Sequence, residues 1–287
     1  MGFVSAFIRL TRFEHAIMLA IAVLIGEIIA FGALPSFSWL LLSSLLVPVL
    51  SEMGSFALND YLDVETDRIN KRTDRPLITK EISLQFALYF SLLSICLSVL
   101  LSYLINFYAF GIALVFNLLA IFYNYKLKDL PILGNVYIAL SMAIPFLFGS
   151  AVLLDSLDFS SVIFALFLIS FVAGLAREIV KSIQDMEGDK KARKSKTLPI
   201  LIGERNSRII AAILYLLFVP FAFAPFYFGL KQSPIALGVV GIADLGILYL
   251  ACTLFLSGEQ KVLKKARNLS LICLFIGLVG LLLAVIL

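Results

Sequence analysis

The sequence predicts an all-α, polytopic membrane protein with nine transmembrane helices. Of its 287 residues, 61% are hydrophobic and 15% are charged, against about 45–50% and about 25% in soluble domains. Nine apolar runs approach the roughly 20 residues that cross a bilayer as a helix, and Lys and Arg collect in alternate connections between them. The runs lie near 13–33, 37–58, 82–104, 107–125, 131–153, 159–181, 207–229, 234–256 and 267–287.

Polar residues distinguish several of these runs. The first carries Glu27 and lacks a cleavage-site pattern, which indicates a retained helix and not a removable signal peptide. The second ends in an acidic segment at 59–67, the fourth ends near Tyr123, the sixth ends in a second acidic segment at 177–189, and the eighth contains Asp244. The other runs are predicted from length and apolar composition. Because the acidic segments follow helices two and six, we expect two four-helix halves plus a ninth helix.

The distribution of basic residues predicts the orientation. With the N-terminus inside, 22 of the 23 Lys and Arg residues fall on the cytoplasmic side, and only Lys231 lies outside. The predicted outer loops at 34–37, 103–107 and 153–158 contain no Lys or Arg. We therefore expect a multi-pass protein of the cell membrane, one integral-membrane domain over 1–287, with the C-terminus outside. The net charge of +4 is spread over membrane-flanking loops, which does not indicate nucleic-acid binding.

Cysteine and histidine give no metal or disulfide pattern. Cys96, Cys252 and Cys273 are isolated in different apolar runs. His15 is the single histidine and lies at the start of the first run, where we expect interfacial packing.

The first acidic segment, Asn59 to Asp67, predicts a cation site. Asn59, Asp63 and Asp67 are spaced four residues apart, so on a helix their side chains lie along one stripe. Oxygen ligands of this kind suit Mg²⁺, which keeps several waters and bridges one or two carboxylates to substrate phosphates. Asp60 lies off the stripe and is expected to support its neighbours.

The second acidic segment, Arg177 to Asp189, repeats this spacing on the same side of the membrane. One helical stripe contains the successive i+4 positions Arg177, Lys181, Asp185 and Asp189. Its residues are basic toward the membrane and acidic at the rim. Either segment alone is equally well explained as a solvated loop. The pair favours two facing acidic stripes that hold Mg²⁺ ions around a diphosphate.

Cationic and tyrosine side chains near these segments are candidates for binding the diphosphate. Each Lys or Arg is also explained by the positive-inside bias, and we expect that explanation for Lys128, Lys190, Lys191, Arg193, Lys194 and Lys196. Lys126 and Lys181 are the stronger candidates. The full set of substrate-binding and catalytic candidates outside the acids is Arg12, Arg68, Arg72, Arg75, Tyr123, Lys126 and Lys181.

Three acids lie within apolar runs, where a charge is costly and indicates function. Glu52 precedes Asn59 by seven residues, which places it on the same helical face about 10 Å deeper. It is a candidate to orient the acceptor hydroxyl or accept its proton, and a neutral acid hydrogen-bonded between helices is an equal alternative. Glu27 and Asp244 are the other two.

These motifs resemble those of the UbiA superfamily of intramembrane prenyltransferases. Asn59 to Asp67 match an N-D-x-x-D-x-x-x-D motif, Asp185 and Asp189 match a second D-x-x-x-D, and Tyr123 to Lys126 match a Y-x-x-K element. The resemblance covers the whole chain. It implies a helical bundle around a central cavity that opens to lipid, with Mg²⁺ holding a polyprenyl diphosphate. The implied ligands of metal and diphosphate are Asn59, Asp63, Asp67, Asp185 and Asp189.

Within that superfamily, the region from Arg177 to Pro199 looks most like archaeal digeranylgeranylglyceryl phosphate synthases. Those enzymes transfer a geranylgeranyl group to the free hydroxyl of geranylgeranylglyceryl phosphate, a lipid-like acceptor. Ser182 and Gln184 stand where many relatives carry acids, and Phe13 stands where relatives often carry proline. An aromatic, chlorin or haem acceptor remains an alternative with the same chemistry. A transporter or channel with an acidic cytoplasmic vestibule is an alternative from another class.

Overall fold

The computed structural model describes residues 2–69, 72–192 and 196–287, with backbone but not side chains for 187–189, 191 and 192. The described part contains helices and connecting turns. The helices are α1 Phe3–Thr11, α2 Phe13–Phe31, α3 Trp39–Leu62, α4 Val64–Ile69, α5 Leu84–Tyr103, α6 Phe107–Tyr125, α7 Leu133–Leu154, α8 Ser161–Ala192, α9 Leu198–Ile202, α10 Glu204–Phe221, α11 Ala224–Tyr227, α12 Pro234–Leu256 and α13 Gln260–Ile286.

Within the described ranges, nine helical segments are long and apolar enough to cross a membrane. They correspond one for one to the nine predicted runs, so the predicted fold class is confirmed. Their ends differ where polar residues continue a helix: α3 extends to Leu62, α8 to Ala192, and α13 begins at Gln260. An apolar run ends where the chain leaves the bilayer, whereas a helix continues as long as its backbone hydrogen bonds are formed.

The transmembrane helices form a closed ring. Helix α2 packs on α3 and α7, α3 on α5 and α6, and α6 on α7. The second half continues from α7 through α8, α10 and α12, and α13 packs on α12, α8 and α2. The ninth helix, α13, therefore closes the ring between the two four-helix halves. Large apolar side chains such as Leu93, Leu118 and Leu245 face outward, as expected for a surface in contact with lipid.

Helices α2 and α7 cross closely because each has a glycine at the contact. A Cβ atom on Gly149 would overlap the carbonyl oxygen of Val23, and one on Gly26 would overlap the carbonyl oxygen of Phe146. Small residues allow such close approach between membrane helices, where packing replaces the hydrophobic effect as the driving force. This contact joins the two halves beside the cavity.

The short N-terminal helix α1 was not among the predicted elements. It packs on α3, and Phe7 makes edge-to-face contacts with Phe86 and Phe90 of α5. Arg12 separates α1 from α2 in a left-handed backbone conformation, with φ of 45°. This turn directs the Arg12 side chain toward the end of α3.

Candidate active site

A polar cavity of about 420 Å³ lies at one end of the bundle. The C-terminal ends of α3, α6 and α8 and the N-terminal parts of α2, α7 and α13 contribute to its walls. The structure brings together most of the candidates from the sequence. Those that line the cavity are Arg12, Glu52, Asn59, Asp63, Asp67, Arg72, Arg75, Tyr123, Lys181 and Asp185.

The first acidic segment keeps its four-residue spacing across a change of helix. Helix α3 ends at Leu62, yet Asp63 N donates to Asn59 O (2.9 Å) and Asp67 N donates to Asp63 O (2.7 Å). The Asn59 side-chain amide donates to Asp63 Oδ2 at 3.0 Å. The three side chains therefore share one wall of the cavity, as the spacing predicts.

The second acidic segment lies on one continuous helix, α8. Arg177, Lys181 and Asp185 line the cavity, and Lys181 Nζ donates to Glu178 Oε1 at 2.9 Å. Arg72 Nη1 lies 4.0 Å from Asp185 Oδ1, so the loop after the first segment reaches the second. The two acidic segments thus face each other. The side chain of Asp189 lies outside the described residues.

Asp60 holds two arginines at the cavity. It is 1% exposed, and its Oδ1 lies 3.1 Å from Arg12 Nη2 and 3.2 Å from Arg75 Nη1. The Arg12 guanidinium also stacks over Phe56, 4.0 Å from the ring centroid. Burial, with a contribution from the nearby Arg75, lowers the pKa of Arg12 to about 10, so it remains charged at neutral pH.

The loop after α4 supplies a further paired cation. Arg72 Nε donates to Asp74 Oδ1 at 3.0 Å. That bond holds the pKa of Asp74 at about 2 and raises the pKa of Arg72. Burial raises the pKa of Asp67, although Arg75, 3.8 Å away, opposes the shift. A partly buried carboxylate such as Asp67 would gain from a bound cation.

Two cationic candidates lie away from the cavity. Arg68 is 64% exposed and pairs with Glu65 at 2.8 Å on the outer side of α4. Lys126 is exposed at the C-terminal end of α6. These two residues were candidates because they are close in sequence to the motifs. Closeness in sequence does not determine the direction of a side chain.

Lys128, which the sequence favoured as a membrane anchor, is a cavity residue. Its Nζ donates to Asp63 Oδ1 at 2.5 Å, and its side chain is 10% exposed. The 3₁₀ turn Leu127–Asp129 redirects the chain after α6 and brings Lys128, not Lys126, to the cavity. Asn124 lies beside it and accepts a hydrogen bond from Asn59 at 2.9 Å.

The donor set fits Mg²⁺ shared with a phosphorylated ligand. Among the described residues, no three Asp, Glu, His or Cys side chains lie close enough together to hold an ion by themselves. Asp63, Asp67 and Asp185 nevertheless line one cavity together with the Asn59 amide. Mg²⁺ commonly takes only one or two carboxylates and completes its shell with water and substrate phosphates.

Glu52 lies where the polar cavity meets two apolar pockets. The C-terminal apolar pocket, about 100 Å³, includes Phe146, Ala173 and Leu271, and the N-terminal apolar pocket, about 60 Å³, includes Ile112 and Phe148. Glu52 lines all three spaces. An acid in this position is available to groups that enter from either apolar pocket.

Comparison with known proteins decides the family. The model of the UbiA prenyltransferase family matches residues 19–279. A digeranylgeranylglyceryl phosphate synthase from Archaeoglobus fulgidus is 36% identical over 286 residues, which covers 97% of this chain and 94% of the relative. This chain belongs to the UbiA prenyltransferase family. A synthase of the same name from Thermococcus kodakarensis is 33% identical over 281 residues and 98% of each chain.

Solved structures of UbiA proteins share the fold. A structure of a digeranylgeranylglyceryl phosphate synthase in membranes has a TM-score of 0.73 and 28% identity, and it covers 100% of this chain and 99% of its own. A UbiA homologue from Archaeoglobus fulgidus, bound to GPP and Mg²⁺, has a TM-score of 0.63 and 20% identity over 96% of this chain and 99% of its own.

Several cavity residues of this UbiA chain were not among the sequence candidates. Asn124 has a signal in the sequence, because Asn117 and Asn124 are seven residues apart on one face of the apolar helix α6. The sequence assigned Arg177 only to the basic end of a stripe, and it counted Arg267 only among the 22 basic residues of the cytoplasmic side. Both line the cavity, and no spacing motif links them because they come from α8 and α13.

Proposed function

We propose that this prenyltransferase transfers a geranylgeranyl group from geranylgeranyl diphosphate to the glycerol hydroxyl of geranylgeranylglyceryl phosphate, with Mg²⁺ as cofactor. The product carries the second ether bond of archaeal membrane lipids. The observation that carries the proposal is the pair of acidic segments that face each other across one cavity, with Arg72, from the loop after the first segment, 4.0 Å from Asp185 of the second. The acceptor is assigned from the full-length similarity to synthases of that name.

The donor diphosphate is assigned to the acidic side of the cavity. Asn59, Asp63, Asp67 and Asp185 would hold Mg²⁺, and Asp189 is proposed as a further ligand from its spacing alone. Arg72, Arg75, Lys128 and Lys181 would contact phosphate oxygens directly, since arginine and lysine donate charge-assisted hydrogen bonds to phosphate. Bound Mg²⁺ would neutralise charge that develops on the leaving diphosphate.

The proposed reaction is a substitution at the allylic carbon of the donor. The carbon–oxygen bond to the diphosphate breaks, and its electron pair leaves with the diphosphate. The acceptor hydroxyl oxygen forms the new carbon–oxygen bond and gives up its proton. Glu52, at the junction of the polar cavity and both apolar pockets, is proposed to orient that hydroxyl or accept the proton.

Aromatic walls would protect the allylic cation. Tyr123 and Tyr137 stack with ring centroids 4.9 Å apart, and both line the cavity. Aromatic faces attract cations, and a dry wall limits capture of the cation by water. Tyr123 is therefore proposed as a contact to the reacting end of the donor.

The orientation proposed from charge places this cavity at the cytoplasmic face of a single integral-membrane domain over 1–287. The basic connections after α3, α6, α8 and α12 and the N-terminal tail would lie in the cytoplasm, and the C-terminus would lie outside. A transporter with an acidic vestibule, the alternative from another class, is set aside by membership of a prenyltransferase family.

Product identity tests the acceptor assignment. Purified protein with Mg²⁺ and geranylgeranyl diphosphate would be offered geranylgeranylglyceryl phosphate, 4-hydroxybenzoate or a dihydroxynaphthoate, and the products measured by mass spectrometry. We expect the glycerol phosphate lipid to be prenylated. Prenylation of an aromatic acceptor alone would replace the proposed function with that of an aromatic prenyltransferase.

A further inference from the structure

Two arginines in the cavity differ from the others because they have no carboxylate partner. Among the described residues, no carboxylate oxygen lies within 4.0 Å of Arg177 or Arg267, whereas Arg12, Arg72 and Arg75 are each paired. Arg177 is 8% exposed, and its Nε is buried with no hydrogen-bond partner in the described part of the chain. Arg267 makes one long contact, 3.5 Å to Gln184 Oε1.

A buried guanidinium without a counter-ion is costly. Burial leaves Arg177 charged, since arginine does not deprotonate in proteins. The cost would be offset by an anion, and the planar guanidinium forms paired hydrogen bonds with phosphate. The charge of Glu178, the next residue, acts on Arg177 from beyond contact distance, but Glu178 Oε1 already accepts from Lys181 Nζ at 2.9 Å. A ligand anion would give Arg177 a direct partner.

These arginines come from positions distinct from those of the proposed diphosphate ligands. Arg177 precedes Asp185 by eight residues on α8, which places it about 12 Å closer to the membrane centre. Arg267 belongs to α13, which supplies none of the acidic ligands. The cavity therefore has its acidic ligands at the rim and Arg177 deeper in the bundle, and Arg267 contacts α8 at Gln184, between the levels of Arg177 and Asp185.

The C-terminal apolar pocket begins one helical turn from each arginine. Ala173 lies one turn before Arg177 on α8, and Leu271 lies one turn after Arg267 on α13, and both line that pocket. The pocket continues along α13 past Leu274 and Leu278. A basic site above an apolar pocket has the chemistry to bind a phosphate attached to an alkyl chain.

We propose that Arg177 and Arg267 form a second phosphate subsite, which binds the phosphate monoester of the acceptor lipid while its alkyl chain enters the C-terminal apolar pocket. This proposal rests on the proposed function and adds the place of the acceptor. It keeps the acceptor phosphate apart from the diphosphate held at Asp63, Asp67 and Asp185. It also explains the position of Glu52, which borders both the polar cavity and this apolar pocket.

The test compares the acceptor with the same lipid lacking its phosphate. We would measure kcat/KM for both acceptors, at saturating donor and Mg²⁺, with wild type, Arg177→Lys and Arg267→Gln. The KM for the donor would be measured separately for each protein. We expect wild type to favour the phosphorylated acceptor by about 10- to 100-fold, the effect of one or two charge-assisted hydrogen bonds. Arg267→Gln should reduce that preference about tenfold and leave donor KM unchanged.

Arg205→Gln is the matched control, because Arg205 is exposed on α10 and lies off the cavity. The preference is a ratio within one preparation, so partial misfolding of a variant does not alter it. An active wild type whose variants keep the full preference, or raise donor KM instead, overturns the subsite alone. A wild type that makes no product from the phosphorylated lipid overturns the proposed function and the subsite with it.

Discussion

Asp60 shows how one residue outside the proposed ligand stripe organises the cavity. Its carboxylate is buried and pairs with Arg12 from the turn between α1 and α2 and with Arg75 from the loop after α4. Removing one partner from such a buried group is costly because the other charges stay buried. We therefore propose that Asp60 is a positioning residue, which would act on the ligand through two arginines.

Replacing Asp60 with asparagine should weaken donor binding. We expect Asp60→Asn to raise KM for the diphosphate donor about tenfold, equivalent to about 1.4 kcal/mol, because Arg12 and Arg75 lose their common anchor. Steady-state kinetics with varied donor would measure the change. Asp60→Glu, which keeps the charge, should recover part of the affinity, and an Asp60→Asn variant with unchanged donor KM would exclude the positioning role.

Replacing Glu52 with glutamine should affect turnover and spare donor binding. If Glu52 orients the hydroxyl or accepts its proton, Glu52→Gln should lower kcat by about 10²- to 10⁴-fold and leave donor affinity unchanged. Single-turnover kinetics and a donor-binding assay would separate the two effects. Glu27→Gln is the control, since Glu27 is also a buried acid of the bundle but lies outside the polar cavity. Full activity of Glu52→Gln would remove the assignment.

At the scale of elements, the contact of α2 with α7 sets the spacing of the cavity walls. A Cβ on Gly149 would overlap the backbone of α2 at Val23. We expect Gly149→Ala to force the helices apart and to cost about 1–3 kcal/mol of stability. Thermal unfolding of the purified protein would report the loss.

Gly111 of α6 provides the control for that substitution. A Cβ there meets open space, and alanine has the higher helix propensity. Gly111→Ala should therefore leave the unfolding temperature unchanged or slightly raise it. Equal destabilisation by both substitutions would show that the α2–α7 contact is not specially tight.

The elements also show what a linear sequence can predict. Hydropathy located all nine spans because each is a long, uninterrupted apolar run, and the i+4 spacing located Asn59, Asp63 and Asp67 because local hydrogen bonds maintain it. Lys128 was missed because a three-residue 3₁₀ turn determines its direction. Arg267 was missed because only the packing of α13 on α2 and α8 brings it to the cavity.

At the scale of the whole molecule, charge placement predicts which face of the membrane holds the cavity. In a variant without the native cysteines, we expect Ser160→Cys to react in intact cells with a membrane-impermeant thiol reagent. Lys196→Cys should react only after the cells are opened. These positions lie in connections at opposite ends of α8, and the reverse pattern of labelling would invert the orientation.

The ring of helices joins acidic residues from its two halves at one cavity, and the proposed chemistry depends on that union. Asp63 comes from the first half and Asp185 from the second, so both halves would contribute to one diphosphate site. Neither carboxylate should be sufficient alone. Removal of Mg²⁺ by a chelator should abolish prenyl transfer, as should replacement of either carboxylate.

The most direct test measures Mg²⁺-dependent release of diphosphate by wild type, Asp63→Ala and Asp185→Ala. Asp158→Ala is the control variant, because Asp158 is an exposed acid in the connection before α8. We expect wild type and Asp158→Ala to release diphosphate at equal rates that fall to background with chelator, and each of the other two variants to lose nearly all activity. Full activity of either Asp63→Ala or Asp185→Ala would contradict the shared diphosphate site.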